Sequence, residues 1–81
     1  MPANEPDALD SLDARMLAAH ANHDLAGLVD LYTQAANMSE AQGHIDAACF
    51  YLTQAYIFAL DFGATEAQTL HARLKTHGRE A

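Results

Sequence analysis

Apolar residues recur at every third or fourth position along most of the chain, which is the spacing of one face of an α-helix. In the first run these residues are Leu9, Leu12, Met16 and Ala19. The run predicts a helix over residues 8–21, with Asp7 or Asp10 available to cap its first turn. Residues 1–6 contain both prolines and no apolar periodicity, so we expect a disordered acidic tail before a single domain over residues 7–79.

The second run is amphipathic and predicts a helix over residues 24–42. Its apolar half comprises Leu25, Leu28, Val29, Leu31, Tyr32, Ala35, Ala36 and Met38. Its polar half comprises Asp30, Thr33, Gln34, Asn37 and Glu40. Gly43 supplies the left-handed residue that commonly ends a helix, and Ile45 is placed to make the accompanying apolar contact.

The third run predicts a helix over residues 44–62 that is apolar around most of its circumference. At 100° per residue, the predicted core face comprises Ile45, Ala48, Cys49, Leu52, Tyr56, Ala59 and Leu60. A flanking arc adds Ala47, Tyr51, Ala55, Phe58 and Phe62. The remaining wedge is polar, yet Phe50 and Ile57 lie inside it, seven positions apart and so nearly aligned. Only about fourteen residues separate Asp46 from Asp61, fewer than the ~20 of a transmembrane helix, so we expect a central helix that its neighbours nearly surround.

The fourth run predicts a helix over residues 65–77, where Thr65 and Gln68 have the spacing of a capping box. Its narrow apolar stripe comprises Ala67, Leu70 and Leu74. The basic residues near its carboxyl end, which complement the helix dipole, are Arg73, Lys75 and Arg79. Gly78 is placed to end the helix. No segment alternates with period two, so the predicted fold class is all-α, a four-helix antiparallel array or small bundle.

The charge of the chain limits its partners. Eleven Asp and Glu face four Lys and Arg, which gives a formal net charge of −7. Because nucleic-acid binding and binding to anionic membranes both depend on basic residues, we expect neither kind of partner.

The single cysteine, Cys49, lies in an apolar run and has no intramolecular disulfide partner. With no signal-peptide pattern at the amino terminus, these features predict a cytoplasmic protein.

Residues 43–55 read Gly-His-Ile-Asp-Ala-Ala-Cys-Phe-Tyr-Leu-Thr-Gln-Ala, which resembles the turn and second helix of a tetratricopeptide repeat. The positions that match the family pattern are Tyr32 and Ala36 in the first helix and Gly43, Ile45, Ala48, Leu52 and Ala55 after it. The pattern breaks at Ser39, where the family has a tyrosine, and at Leu60, where it has a proline. The resemblance covers about residues 29–62 and implies a helical hairpin whose apolar faces are covered by the first and fourth helices.

The resemblance also implies a binding surface, because in that family the first helix of each hairpin lines a concave groove that holds an extended peptide. On this chain the groove positions are Asp30, Thr33, Asn37 and Glu40. Two of the four are acidic, so the ligand that this groove implies is a basic or amide-rich peptide segment. The alternative is an ordinary solvated helix face.

The residues with catalytic or metal-binding potential do not form a recognisable site. His20 and His23 are three positions apart but lack a third ligand nearby, and His71 and His77 do not have the i, i+4 spacing of a helical pair. Cys49 lies in the apolar run, where a thiol packs as a small hydrophobe. We therefore predict no catalytic residue, no metal and no cofactor, and hence no enzyme.

The sharpest site hypothesis concerns Phe50 and Ile57, because polar neighbours surround them on the wheel. Such residues favour contact with a partner protein or with a second copy of the chain. Tyr51, Phe58 and Phe62 fit either the core or the same interface. The sequence thus favours a protein-interaction module, a small adaptor or assembly-regulatory factor without catalysis. The alternative is an obligate subunit or homodimer whose apolar faces are buried by self-association.

Overall fold

The computed structural model describes residues 8–79, with side chains from Ser11 onward, as a four-helix all-α protein. The helices are α1 (Ala8–Ala21), α2 (Leu25–Ala41), α3 (Ile45–Phe62) and α4 (Glu66–Thr76). Each bound lies within one residue of the bound that the apolar periodicity predicts. Within residues 8–79 there is no strand. The predicted tail over residues 1–6 and the capping roles of Asp7 and Asp10 lie outside the described residues and side chains.

Three short turns connect the helices, so that consecutive helices pack against each other as antiparallel neighbours. Gly43 and Gly63 both have φ 78°, the left-handed conformation that ends a helix at low cost only for glycine. The turn between α1 and α2 has no glycine, and His23 adopts the left-handed conformation there with φ 53°. Asp24 then caps α2, because its side chain accepts a hydrogen bond from the Gly27 amide at 3.0 Å.

The central packing is between α2 and α3, and small side chains line it. The alanines that are completely buried are Ala35, Ala36, Ala48, Ala55 and Ala59. Small residues allow two helices to approach closely, and bulky residues beside them fill the space between the helices. Leu28 on α2 and Leu52 on α3 fill this space and are themselves buried.

The outer helices cover opposite sides of this hairpin. On α1, Leu12, Met16 and Ala19 pack with Leu28, Leu31 and Ala35 of α2. On α4, Ala67, Leu70 and Leu74 pack with Leu52, Ala55 and Ala59 of α3. The result is a flat array of 42 × 31 × 14 Å, in which α4 packs on its own chain.

Three sequence predictions need correction. Ile45 and Leu60, assigned to the core face of α3, are 38% and 56% exposed. Ile45 is the first residue of its helix, where fewer neighbours are available. Leu60 follows Ala59 by one residue and so points about 100° away from the buried stripe. The capping box at Thr65 does not form, because Thr65 itself has helical φ and ψ and its side chain makes no cap hydrogen bond.

Candidate functional site

The polar face of α2 forms one side of a groove, and the other side is formed by α4 and the turn that precedes it. The four positions predicted for a peptide groove, Asp30, Thr33, Asn37 and Glu40, all lie on this face, but the structure divides them into two pairs. Asn37 and Glu40 contact side chains of α4. Asp30 and Thr33 line an open cavity nearer the amino terminus of α2.

At the carboxyl-terminal end of the face, Glu40 contacts Arg73 of α4 and His77, the residue that follows α4. Arg73 Nη2 donates to Glu40 Oε1 at 2.8 Å and to Asn37 Oδ1 at 2.7 Å. Nε2 of His77 lies 2.7 Å from Glu40 Oε2. These hydrogen bonds, with His77 contributing most and Arg73 next, hold the pKa of Glu40 below its usual range, although burial opposes the shift. This end of the groove is therefore filled by the chain's own cation.

We expect Glu40→Gln to lower the free energy of unfolding by about 1 kcal/mol at neutral pH, because two charge-assisted hydrogen bonds weaken on a partly exposed surface. The lowered pKa means that ionised Glu40 stabilises the fold above its unfolded-state pKa, and that this stability is lost as pH falls through the folded-state pKa. Urea unfolding from pH 7 to pH 3 measures the difference in free energy of unfolding between wild type and Glu40→Gln. We expect this difference to disappear at the acid end of the range, where Glu40 is protonated.

Asp46→Asn is the matched control for that measurement. Asp46 pairs with Arg79 at 2.6 Å, but its side chain is almost fully solvent-exposed, so removing its charge should leave the free energy of unfolding almost unchanged. A difference between wild type and Glu40→Gln that stays constant from pH 7 to pH 3 would contradict the proposed role of the Glu40 charge.

At the amino-terminal end of the face, α2 and the α3–α4 turn enclose a cavity of about 150 Å³. We call it the groove cavity. Its lining residues are Ala26, Val29, Asp30, Thr33, Phe62, Ala64 and Glu66. The Thr33 hydroxyl donates to the Val29 carbonyl at 2.7 Å, so the polar groups that remain at the opening are mainly the Asp30 and Glu66 carboxylates. The cavity thus has an apolar lining and an acidic opening.

A second candidate surface lies on the outer side of α3. Phe50 is 57% exposed and Ile57 is 45% exposed, as their place in the polar wedge of the wheel predicts. They lie seven residues apart on one helix, so they project from the same side two turns apart. We call this pair the α3 apolar surface.

The three other apolar site candidates of α3 have different surroundings, although the Tyr51 ring lies edge-on to Phe50 with ring centroids 5.5 Å apart. Tyr51 and Phe58 are half-buried. Both pack against the buried residues that α1 and α2 share and against those that α2, α3 and α4 share. Phe58 stacks on Tyr32 with ring centroids 5.8 Å apart, and His20 of α1 approaches Phe58 edge-on at 5.6 Å. Phe62 is exposed and lines the groove cavity instead. Of the five apolar site candidates, two therefore pack within the protein and one belongs to the groove.

Burial also affects the chemistry of this aromatic cluster. Desolvation, with smaller contributions from Tyr51 and Asp13, raises the pKa of Tyr32 above its ordinary value. The Tyr32 hydroxyl lies 3.2 Å from His20 Nε2, so the tyrosine has a hydrogen-bond partner in the protein. The cluster joins α1, α2 and α3.

Sequence reasoning missed Arg73, His77 and Glu66 as parts of the groove. The contacts of Arg73 and His77 with Glu40 span 33 and 37 residues, so no local spacing signals them. The only available signal was the basic cluster in the last turn of α4, which was assigned to the helix dipole.

Among the side chains that the structure describes, no group of three or more His, Cys, Asp or Glu is arranged to hold a metal ion. His71 stacks on Tyr56 with ring centroids 5.4 Å apart, and Cys49 is buried. No helix in the described part of the chain is long and apolar enough to cross a membrane.

The described architecture is compatible with a helical hairpin, α2 and α3, between two flanking helices. A four-helix array of this kind supports many functions, so the fold alone does not identify one. In comparisons with protein-family models, with curated proteins and with solved structures, the chain has no significant match.

Proposed function

We propose that this protein is a protein-interaction module, a small adaptor or assembly-regulatory factor without catalysis. The observation that carries the proposal is the α3 apolar surface, where Phe50 and Ile57 remain about half exposed on the same side of the helix. Large aromatic and aliphatic side chains that remain exposed on a folded domain are typical of contact surfaces for other proteins.

Burial of the α3 apolar surface would contribute measurably to the free energy of binding a partner. Complete burial of a Phe or Ile side chain contributes about 1.5–3 kcal/mol, and roughly half of each side chain is still exposed. Covering both residues therefore supplies about 1.5–3 kcal/mol in total, which corresponds to about one or two orders of magnitude in affinity. The exposed acid Asp61, one turn after Ile57 on the same helix, favours a partner with basic residues around an apolar patch.

The resemblance to a tetratricopeptide repeat supports the same proposal from a second direction. We propose that α2 and α3 are a hairpin of this kind, with the polar face of α2 as its peptide-binding side. The carboxyl-terminal half of that face is occupied by Arg73, so a bound peptide would use the half around Asp30 and Thr33. We further propose the cytoplasm as its location, since a free thiol such as Cys49 in the core suits a reducing compartment.

Self-association is the competing explanation for the same exposed residues. An obligate homodimer buries Phe50 and Ile57 against a second copy, so its stability rises with protein concentration. An adaptor for a different protein is a monomer whose unfolding midpoint does not depend on concentration. The two explanations therefore differ in the isolated protein.

Sedimentation equilibrium and thermal unfolding at about 5 µM and about 500 µM test this difference. This range of concentration detects dimers over about two orders of magnitude in dissociation constant. We expect a monomer with one unfolding midpoint at both concentrations. Leu17→Ala, which removes another exposed apolar residue on α1, is the matched control for Phe50→Ala/Ile57→Ala. If wild type and Leu17→Ala are dimers and Phe50→Ala/Ile57→Ala is a monomer, the adaptor proposal is wrong and the homodimer explanation is supported.

A further inference from the structure

The groove cavity combines three features in one small space. Ala26, Val29 and Ala64 supply small apolar groups, and Phe62 adds an aromatic ring. Asp30 and Glu66 bring carboxylates from α2 and from the first turn of α4. A cavity of about 150 Å³ accepts a group of about the size of benzene.

The two carboxylates of the groove cavity retain capacity to accept hydrogen bonds. Asp30 Oδ2 accepts one bond, from Gln34 Nε2 at 2.8 Å. None of the described lysine, arginine or histidine side chains lies within 4.0 Å of the Asp30 or Glu66 carboxylate, in contrast to Glu40, which has two basic partners. A carboxylate oxygen accepts about two hydrogen bonds, so the cavity opening suits a cationic donor group.

The other end of the same groove indicates which cation suits this face of α2. There the Arg73 guanidinium bridges two acceptors of α2, Asn37 Oδ1 and Glu40 Oε1. A guanidinium also stacks on aromatic rings better than an ammonium does, and the groove cavity contains the ring of Phe62. Carboxylates and an aromatic ring together favour arginine over lysine.

We propose that the groove cavity binds an arginine side chain from an extended segment of a partner protein. The side-chain methylenes contact Val29 and Ala64, the guanidinium donates to Asp30 and Glu66, and its plane packs on Phe62. This inference rests on the proposed function, since it specifies the residue that a partner inserts. It does not depend on the α3 apolar surface.

The test uses the full chain, labelled with ¹⁵N, and the peptide acetyl-Ala-Ala-Arg-Ala-Ala-amide. We expect saturable shifts in the backbone amides of Ala26, Thr33 and Glu66, with a dissociation constant on the order of 1 mM. The citrulline peptide, which has nearly the same shape without the charge, should bind about fivefold more weakly. The lysine peptide should also bind more weakly than the arginine peptide, because it lacks the planar group that packs on Phe62.

Two protein variants locate the binding site. Asp30→Asn/Glu66→Gln should reduce the affinity for the arginine peptide to that for the citrulline peptide. Asp13→Asn/Asp46→Asn removes the same two charges from exposed positions outside the cavity and should bind as wild type does. Dispersed amide signals in both variants establish that they are folded.

Each outcome decides the proposal. Arginine binding that weakens about fivefold only in Asp30→Asn/Glu66→Gln supports it. Equal affinity for the lysine and arginine peptides, an unchanged affinity for the arginine peptide in Asp30→Asn/Glu66→Gln, or the absence of saturable shifts would overturn it. Failure of this inference leaves the adaptor proposal intact if partner binding still depends on Phe50 and Ile57, so the two failures are distinguishable.

Discussion

Leu52→Ala is expected to lower the free energy of unfolding by about 2–5 kcal/mol, because it removes a completely buried side chain from the close-packed centre of the domain. Leu52 belongs to the cluster that joins Val29 and Ala36 of α2 to Leu70 and Leu74 of α4. Neighbours on three helices cannot all move to fill the space, so a cavity remains.

Chemical denaturation of wild type and Leu52→Ala measures this effect directly. A chain of 81 residues has a total stability of about 4–12 kcal/mol, so the variant should be largely unfolded or should melt at least about 10 °C lower. Leu17→Ala makes the same chemical change at an exposed site and should alter stability by less than about 0.5 kcal/mol. A loss below 1 kcal/mol for Leu52→Ala would place Leu52 outside the core.

Ala55→Leu should destabilise the protein by about 1–3 kcal/mol or more through the opposite mechanism, overpacking. Ala55 is completely buried on α3 in the cluster that includes Val29 and Ala36 of α2. Three added carbon atoms at this position force α2 and α3 apart or push their side chains out of favoured rotamers.

Ala47→Leu is the control, because Ala47 is on the same helix but exposed. Alanine and leucine have nearly equal helix propensities, so this control should unfold almost as wild type does. Thermal unfolding followed by circular dichroism compares the two variants. If Ala55→Leu is as stable as wild type, α2 and α3 do not pack closely at Ala55.

The helices were predictable because their signals are local. Apolar spacing predicts each helix, and Gly43 predicts the end of α2 through the left-handed conformation that it adopts. The narrow stripe of Ala67, Leu70 and Leu74 on α4 is buried as its spacing predicts. Local pattern therefore specified both the fold class and the order of its elements.

The exposure of individual α3 residues was harder to predict, because it depends on where neighbouring helices end. A helical wheel treats every turn alike, yet Ile45 lies at the start of the helix and Leu60 lies beside the stripe that α2 and α4 cover. Tyr51 and Phe58 fitted core or interface equally from the wheel. Only the position of Tyr32 on α2 and of His20 on α1 places them in the aromatic cluster.

The groove was predicted in part. Its four α2 positions are implied by the family resemblance, and the helical wheel places them on the polar half of the helix, but their division into a filled end and an open end is not predicted by either. That division arises from Arg73 and His77, which are far from Glu40 in the sequence and reach it only when α4 packs back on α3.

We propose that this chain binds a different protein through Phe50 and Ile57. The most direct measurement is affinity capture from the native host with the tagged protein, read by mass spectrometry, in three parallel forms: wild type, Leu17→Ala and Phe50→Ala/Ile57→Ala. We expect at least one other protein to be retained by wild type and Leu17→Ala and lost from the double variant, and to bind again when purified. Recovery of only an untagged copy of the chain, or equal retention by all three forms, would contradict the claim.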